Sequence, residues 1–333
     1  MNVLVIRLSA LGDVAMTIPA VYSVAKAYPQ HHFTVLTSDF MSNLFIAPPS
    51  NVEVIALSKA DCHGVKGTLR MLRKVSRMKV DRVADLHNVL RSWIIDAFFA
   101  LKFKRVKMLA KNRNQRKATL VAHRQAQLFT QRYFDVFARL GLSCKPLFSS
   151  LFATPAPLPL PIHKSNEHWV GIAPFARYVN KIYPLPQMQE VVRLLAACPE
   201  TRIFLFGTRG KEKETLEQWA SEFPNVDCVA GRFSLQEELA LMAHLDVMVS
   251  MDSANMHLAS LVATRVVSVW GATSPLCGFM GWQQRSEDAV LLQCDCQPCS
   301  IAGSNHCKRG DFHCLTSLTP DKVCARIREI INK

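Results

Sequence analysis

The sequence has no apolar stretch long enough to cross a bilayer. Its densest apolar segment, Ile94 to Leu101, is interrupted by Asp96 and falls far short of the about 18 residues that a membrane span needs. The first residues also lack the basic segment and the small-residue cleavage site of a secretory signal. Disorder-prone tracts are missing as well, since 49% of the 333 residues are hydrophobic and only 20% are charged. We therefore expect a cytoplasmic globular protein.

Acidic residues are scarce in the first half of the chain, which carries the whole net positive charge. Residues 1–150 contain 23 lysines and arginines against 8 aspartates and glutamates, and the remainder is nearly neutral. The cations concentrate in residues 59–82 and 101–139. Such a field attracts a polyanion, which can be a phosphorylated substrate, an anionic membrane surface or nucleic acid. A solvated surface without a partner is the alternative.

Short apolar runs rich in β-formers alternate with helical patterns in both halves, which indicates an α/β fold with parallel sheets. Between the halves, residues 153–162 contain four alternating prolines and predict an extended linker. We predict an N-terminal domain over 1–152, a C-terminal domain over 163–318 and a terminal helix over 319–333. Two such domains leave a cleft at the carboxyl ends of their strands, where ligands bind to open parallel sheets.

Two segments of the first half carry further expectations. Residues 111–140 begin polar and basic and end amphipathic, which predicts one long helix. The aromatic and apolar residues of 94–103 and 128–137 are expected in the core rather than in a groove for lipid.

Eleven cysteines without an export signal predict reduced thiols rather than a disulfide framework. Four of them combine one Cys-x-x-Cys pair with two single thiols, a set that can close a tetrahedral structural zinc site. Partly buried thiols without a metal are the alternative. The four are Cys296, Cys299, Cys307 and Cys314.

The first predicted strand ends in a polar loop, Arg7-Leu-Ser-Ala-Leu-Gly-Asp13, directly before a helix. Small residues such as Ser9 and Gly12 let a ligand approach the backbone, and the helix N-terminus offers unpaired N–H groups. Asp13 lies where a base would face the cleft, and it is equally placed to cap the helix.

In the second half, three strand ends deliver polar or cationic groups to one rim of the predicted sheet. Arg177 and Lys181 follow the first strand of this half and suit a phosphate. Asp252 and Ser253 precede a helix whose amides can hold an anion or a sugar hydroxyl, and His257 lies one turn further on. Helix capping alone is the simpler interpretation of the second group.

Six short motifs follow one another along the chain. They are Arg7-Leu-Ser-Ala-Leu-Gly-Asp13, Asp85-Leu-His-Asn-Val-Leu-Arg91, Pro174 with Lys181, Phe206-Gly207, Asp252-Ser-Ala-Asn-Met-His257 and Trp270-Gly-Ala-Thr-Ser-Pro275. In this order they resemble the motifs of the ADP-heptose:lipopolysaccharide heptosyltransferases, glycosyltransferase family nine. The resemblance implies a GT-B fold, with two Rossmann-like domains whose parallel sheets face a central cleft.

The resemblance also implies an inverting, metal-independent transfer in which Asp13 takes the proton of the acceptor hydroxyl. A cationic pocket stabilises the departing diphosphate instead of a metal cofactor. The sequence accordingly contains no Asp-x-Asp pair. The implied donor-binding residues are Arg177, Lys181, Asp252, Ser253 and His257, and the implied acceptor-binding residues are Ser9, Gly12 and Arg91.

Ala254 departs from the family pattern, because a glycine usually follows the Asp-Ser pair.

The predicted function is transfer of a heptose or related sugar from an ADP-sugar to the lipopolysaccharide inner core or a similar glycan. The expected partners are the nucleotide-sugar, a phosphorylated lipid-linked glycan and the anionic inner leaflet, at the cytoplasmic face of the inner membrane; nucleic acid is not expected. The alternatives are a non-catalytic sugar-nucleotide-binding protein of the same fold and a basic nucleic-acid-binding protein.

Overall fold

A computed structural model describes residues 1–154, 156–161 and 164–332. The described chain divides into two compact units, and each contains one parallel sheet. The first unit comprises Met1–Asn112 and Leu128–Leu151, and the second comprises Arg113–Gln127 and the chain from Phe152 onward. None of the helices in the described ranges combines the length and the apolar character needed to cross a membrane.

Five parallel strands form the sheet of the first unit: β1 (Asn2–Ile6), β2 (His32–Ser38), β3 (Val52–Leu57), β4 (Arg82–Asp85) and β5 (Arg105–Met108). Their order is β3-β2-β1-β4-β5, so β1 lies at the centre. Residues 3–6 are buried, because both faces of a parallel sheet are covered. Ile6 pairs with Asp85, which places the loop after β1 beside the loop after β4.

Six α-helices occur in the described residues up to 152: α1 (Leu11–Ala27), α2 (Asp39–Ser42), α3 (Gly64–Ser76), α4 (Leu90–Leu101), α5 (Arg113–Ala122) and α6 (Phe129–Arg139). The prediction of a single helix over 111–140 is wrong, because α5 and α6 are two separate helices. The chain leaves the helical conformation at His123, which has a φ of 49°. The Ala126 N–H then donates to the carbonyl of Leu276 at 2.8 Å, which ties this connection to the second unit.

The prediction that the apolar residues of 94–103 lie in the core is wrong for the last of them. Ile95 and Phe99 of α4 are buried, but Leu101 is 82% exposed and Phe103 is 99% exposed. Phe103 lies beyond the helix, at a φ of 57°, and so it leaves the face that packs inward. The corresponding prediction for 128–137 holds for Phe129, Phe134 and Phe137, which are buried.

Six parallel strands form the sheet of the second unit: β6 (His168–Ala173), β7 (Thr201–Leu205), β8 (Val226–Cys228), β9 (Val247–Met251), β10 (Val266–Trp270) and β11 (Ala289–Leu291). Their order is β11-β10-β9-β6-β7-β8. Strand β9 therefore lies between β6 and β10, and the loops that follow these three strands meet at one edge of the sheet.

The helices of this half are α7 (Leu185–Ala196), α8 (Lys211–Ser221), α9 (Leu235–Met242), α10 (Ala254–Leu261), α11 (His313–Thr316) and α12 (Pro320–Ile331). Helix α12 begins after Thr319, where the sequence predicts a terminal helix. Its residues Val323, Cys324 and Ile327 belong to the core of the second unit. Pro155 and Ile162 of the predicted linker, His163 at the predicted domain start and Lys333 lie outside the described residues.

Candidate active site

Asp13 lies in the first turn of α1, directly after the loop that follows β1. The Arg7 guanidinium contacts its Oδ2 at 2.8 Å, and the Ala10 backbone N–H donates to the same oxygen at 3.4 Å. Oδ1 accepts no hydrogen bond from the residues that the structure describes, and 32% of the side chain is exposed. Asp13 is thus a weak helix cap and an ion-pair partner at once, with one carboxylate oxygen open to a ligand.

The Arg7 guanidinium is held in place by the loop after β4. It is buried, and its Nη1 donates to the carbonyl of Leu86 at 2.7 Å. Asp85 fixes this loop, because its Oδ1 accepts the backbone N–H groups of His87 at 2.8 Å and Asn88 at 2.9 Å. The positive charge beside Asp13 is therefore anchored by backbone groups rather than by a mobile surface chain.

His87 is the residue of this loop whose pKa is affected by the charges of Arg7 and Asp13. Burial lowers the pKa of His87 to about 4, and the positive charges of Arg7 and Arg91 lower it further. The negative charges of Asp85 and Asp13 act in the opposite direction. The imidazole is therefore neutral at pH 7, and its Nδ1 has no hydrogen-bond partner among the described residues. His87 stands in the second motif, but the sequence alone did not assign it to the site.

Two buried carboxyl groups, Asp85 and Asp96, interact beneath the same loop. Asp85 is fully buried, and Ser92 Oγ donates to its Oδ2 at 2.7 Å. Burial raises the pKa of Asp96 to about 8, and the neighbouring Asp85 charge acts in the same direction. Neither carboxyl oxygen of Asp96 has a hydrogen-bond partner among the described residues, and the group holds a proton at neutral pH.

This pair predicts a pH-dependent stability that an Asp96→Asn variant removes. The unfolded chain releases the Asp96 proton near its ordinary pKa of 3.8, whereas the folded protein keeps it to about 8. The pair's contribution to the free energy of unfolding is thus fully present below pH 4 and is lost as the pH rises to 8. Asparagine carries no charge at this buried position, so we expect the Asp96→Asn variant to be more stable than wild type at pH 8 by on the order of 2 kcal/mol.

Denaturant unfolding at pH 5, 6.5 and 8 measures this difference, with Asp39→Asn as the control because Asp39 is an exposed acid of α2. The free-energy difference between wild type and Asp96→Asn is expected to grow with pH, while the Asp39→Asn difference stays constant. A constant difference for Asp96→Asn would contradict the raised pKa of Asp96.

In the second unit, the loops after β6, β9 and β10 each contribute one member of a hydrogen-bonded cluster. Lys181 Nζ contacts Asp252 Oδ2 at 2.9 Å, and Thr273 Oγ1 donates to the same oxygen at 2.7 Å. The Lys181 and Asp252 side chains are only 13% and 5% exposed. The structure thus joins two residues that the sequence predicts for donor binding, and Thr273 is an addition from the sixth motif.

The cluster lies directly before α10, whose first residue is Ala254. Ser253 occupies the N-cap position without giving a side-chain cap, and its Oγ lies 3.2 Å from Ser250 Oγ. His257 lies one turn into the helix and is buried. Unpaired N–H groups and the helix dipole make this end of α10 suitable for an anion.

The other predicted residues lie outside these two clusters. Arg177 is exposed, and its guanidinium lies 5.3 Å from the centre of the Tyr178 ring. Ser9 is exposed in the loop before α1, and Gly12 is half-buried in the first turn of that helix. Arg91 lies in the first turn of α4, within electrostatic range of His87.

The cysteine-rich segment, residues 294–314, holds the Lys181 turn against the end of β10. Asn180 Nδ2 donates to Ser304 Oγ at 2.9 Å, and Gln297 Nε2 donates to the carbonyls of Gly271 at 2.5 Å and Thr273 at 3.1 Å. A side chain at Gly271 has no room, since a Cβ there would lie 2.6 Å from the Asn180 carbonyl oxygen. Local sequence patterns do not predict these contacts, because they join residues more than twenty positions apart.

The four cysteines of the predicted metal site line one small cavity, together with His313. The cysteines whose side chains the structure describes are free thiols. Within the described part of the chain, no three His, Cys or acidic side chains are grouped closely enough to hold a metal ion as they stand. Burial disfavours the Cys307 thiolate, but backbone N–H groups donate to its sulfur and together lower its pKa.

A sequence model of glycosyltransferase family 9 (heptosyltransferase) matches residues 68–308, well over half of the chain. The chain belongs to glycosyltransferase family 9. The resemblance inferred from the six motifs is confirmed, and the protein is a glycosyltransferase. Among curated relatives, it is 22% identical over 288 residues to the lipopolysaccharide core heptosyltransferase OpsX of Haemophilus influenzae, covering 82% of this chain and 79% of the relative.

Solved structures of the family share the fold. The Escherichia coli heptosyltransferase WaaC with ADP superposes with a TM-score of 0.71 at 20% identity, covering 99% of each chain. The iron-containing dodecameric glycosyltransferase TibC of enterotoxigenic E. coli gives a TM-score of 0.61 at 14% identity, over 99% of this chain and 76% of TibC. The predicted α/β GT-B fold, with a parallel sheet in each of two units, is confirmed.

Proposed function

We propose that this glycosyltransferase moves a heptose from ADP-heptose to the lipopolysaccharide core. The observation that carries the proposal is the Lys181–Asp252–Thr273 cluster at the N-terminus of α10, which offers an ammonium and helix amides to a diphosphate. Two findings on similar proteins support the choice of donor and acceptor. WaaC has been solved with ADP and with ADP-2-deoxy-2-fluoro heptose, and OpsX is named a lipopolysaccharide core heptosyltransferase.

In the proposed reaction the acceptor hydroxyl oxygen attacks the anomeric carbon as the bond from that carbon to the β-phosphate oxygen breaks. The proton of the hydroxyl passes to Asp13 Oδ1, and the configuration at the anomeric carbon inverts. Arg7 holds the Asp13 carboxylate in place through Oδ2. Ser9, Gly12 and Arg91 are the proposed acceptor contacts around this base.

The departing ADP carries the charge that develops in the transition state. Lys181 and the N–H groups of α10 supply positive charge at fixed positions, which is the most effective form of stabilisation for such a leaving group. Arg177, Ser253 and His257 complete the proposed donor site. With these groups in place, the transfer step is proposed to need no metal ion.

Donor selectivity tests the proposal. ADP and ADP-heptose at saturating concentration are expected to raise the Tm by about 5 °C, because a ligand at 100 times its Kd stabilises by about 2.7 kcal/mol. UDP-sugars and GDP-sugars at the same concentration serve as controls and are expected to give little shift. A larger shift with a UDP-sugar or GDP-sugar than with ADP-heptose would contradict the assigned donor.

The proposed acceptor is a phosphorylated, lipid-linked glycan at the cytoplasmic face of the inner membrane. The cations of residues 59–82 and 101–139 lie mainly in the first unit, which also holds Asp13. Each basic residue near an anionic leaflet contributes on the order of 1 kcal/mol of attraction. The charge asymmetry supports a location at the membrane surface, where the proposed acceptor would be found.

We also propose that the cysteine-rich segment binds a structural metal. The donor chemistry fits, because four thiols line one cavity and thiols suit a tetrahedral ion such as Zn²⁺. Iron is the alternative, since the similar TibC is described as iron-containing. The ion would be held by Cys296, Cys299, Cys307 and Cys314 and would stabilise the segment that fixes the Lys181 turn.

Elemental analysis of protein purified without a histidine tag tests the metal proposal. The expected result is about one zinc or iron per chain, reduced in Cys299→Ser and Cys307→Ser and unchanged in Cys198→Ser. Cys198 is the matched control because it is a half-buried free thiol outside the cavity. A metal content far below one equivalent in wild type would contradict the proposal.

A further inference from the structure

The outer face of α4 is apolar along the whole helix. Leu90 is 72% exposed, Trp93 41% and Leu101 82%, and Phe103 just beyond the helix is 99% exposed. Positions 90, 93, 97 and 101 recur at helical spacing, and Ala97 is exposed as well. We call Leu90, Trp93, Ala97, Leu101 and Phe103 the α4 stripe. It faces away from the core because Ile95 and Phe99 of the same helix pack inward.

Cations surround the α4 stripe, and acids are missing from it. Lys111 Nζ lies 4.6 Å from the centre of the Trp93 ring, and Lys102 Nζ lies 4.3 Å from the centre of the Phe98 ring. Lys104 and Arg105 follow Phe103 directly, and the sequence contains no Asp or Glu between Asp96 and Asp135. The stripe is therefore an apolar surface with several cations close to it.

This combination fits an anionic bilayer surface better than a second copy of the chain. In a bilayer, exposed apolar and aromatic side chains bury at the acyl boundary while lysines extend their ammonium groups to the lipid phosphates. Two copies meeting through the stripe would bring the same cations together, and like charges at an interface are costly. We propose that α4 lies in the interface of an anionic membrane, with the α4 stripe inserted and Lys102, Lys104, Arg105 and Lys111 at the phosphates.

The inference rests on the proposed function and deepens it. Helix α4 begins directly after the loop of His87 and Asn88, which belongs to the Asp13 site. A helix of 12 residues spans about 18 Å, so the stripe residues from Leu90 to Leu101 lie within about that distance of this loop. An acceptor whose acyl chains remain in the bilayer then presents its glycan to Asp13 without leaving the membrane surface.

Vesicle binding of variants tests the insertion. With vesicles of phosphatidylglycerol and phosphatidylcholine, the double variant L101S/F103S is expected to bind roughly tenfold more weakly than wild type or worse. The variant K102Q/K104Q is expected to lose roughly tenfold as well, with a weaker dependence on salt. Phe40→Ser is the matched control, because Phe40 is 57% exposed on α2 and outside the stripe, and its binding is expected to equal that of wild type.

Fluorescence quenching reports insertion directly. Trp93 is the most exposed tryptophan of the described chain, since Trp169, Trp219 and Trp270 are buried and Trp282 is half-buried. Brominated acyl chains in anionic vesicles are expected to quench wild-type fluorescence, and Trp93→Phe is expected to abolish most of the effect. Wild-type binding by L101S/F103S, or quenching that is unchanged in Trp93→Phe, would overturn the inference.

These measurements need neither donor nor acceptor, so they separate the inference from the proposed function. If wild type inserts but transfers nothing from ADP-heptose, the proposed function fails and the membrane surface remains. If wild type and L101S/F103S transfer equally well to a water-soluble core glycan without acyl chains, and neither inserts into vesicles, the membrane surface alone fails. If wild type and L101S/F103S transfer equally well to the soluble glycan, and only L101S/F103S fails to insert, the result supports both the proposed function and the membrane surface.

Discussion

Replacement of Asp13 by asparagine is expected to lower kcat for heptose transfer by roughly 10²- to 10⁴-fold, the usual contribution of a general base. The amide keeps the size of the side chain and its hydrogen-bonding oxygen, but it cannot take the acceptor proton. ADP affinity should remain close to that of wild type, because the proposed diphosphate contacts involve Lys181 and α10 in the other unit. Steady-state kinetics and calorimetric titration with ADP measure the two quantities.

The buried Arg7 calls for a folding control, because Asp13→Asn removes its anionic partner. Denaturant unfolding of Asp13→Asn shows whether that loss destabilises the first unit, and Asp39→Asn shows the effect of an exposed acid near the same sheet. A well-folded Asp13→Asn protein with kcat within tenfold of wild type would contradict the assignment of the base. A parallel loss of ADP affinity would show that the residue acts on the donor instead.

Replacement of Lys181 by methionine is expected to weaken ADP binding by roughly 10- to 100-fold and to destabilise the second unit. The first effect follows from the loss of a charge-assisted contact to the diphosphate. The second follows because Asp252, only 5% exposed, would keep its charge without its partner. Breaking a buried ion pair from one side typically costs about 3 to 5 kcal/mol.

The double variant K181M/D252N separates these effects. It removes both charges, so most of the lost stability is expected to return, while ADP affinity stays low because the ammonium is still missing. Calorimetric titration with ADP and denaturant unfolding of wild type, the single variant and the double variant provide the comparison. Recovery of ADP affinity in the double variant would mean that Lys181 only neutralises Asp252 and does not bind the donor.

The sheets could be predicted from the sequence because strands of a parallel sheet, buried on both faces, are continuous apolar runs. Strands β9 (Val247–Met251) and β10 (Val266–Trp270) are such runs, and every residue of both is buried. Helix α4 could not be predicted in the same way, because its outward face is as apolar as its inward face and the helical periodicity is lost. An apolar run of this kind does not show which of its residues face outward, so the sequence predicts Phe103 in the core although it is exposed.

Lys181 and Asp252 could be proposed for donor binding from local motifs, but their contact could not be predicted. Their ion pair depends on β6 and β9 being neighbours in the sheet. Asp96 looked like an interruption of an apolar run, and only the register of β4 and the start of α4 place it against Asp85. Such contacts depend on tertiary structure and leave no spacing signal.

The most direct test of the account is the product of one reaction. Wild-type protein, ADP-heptose and a lipopolysaccharide core acceptor lacking its next heptose are incubated without added divalent metal, and the acceptor is analysed by mass spectrometry and NMR. The account predicts one added heptosyl residue with the anomeric configuration opposite to that of the donor, ADP released in equal amount, and no product with Asp13→Asn. Retained configuration, or ADP released without a glycosidic product, would contradict it.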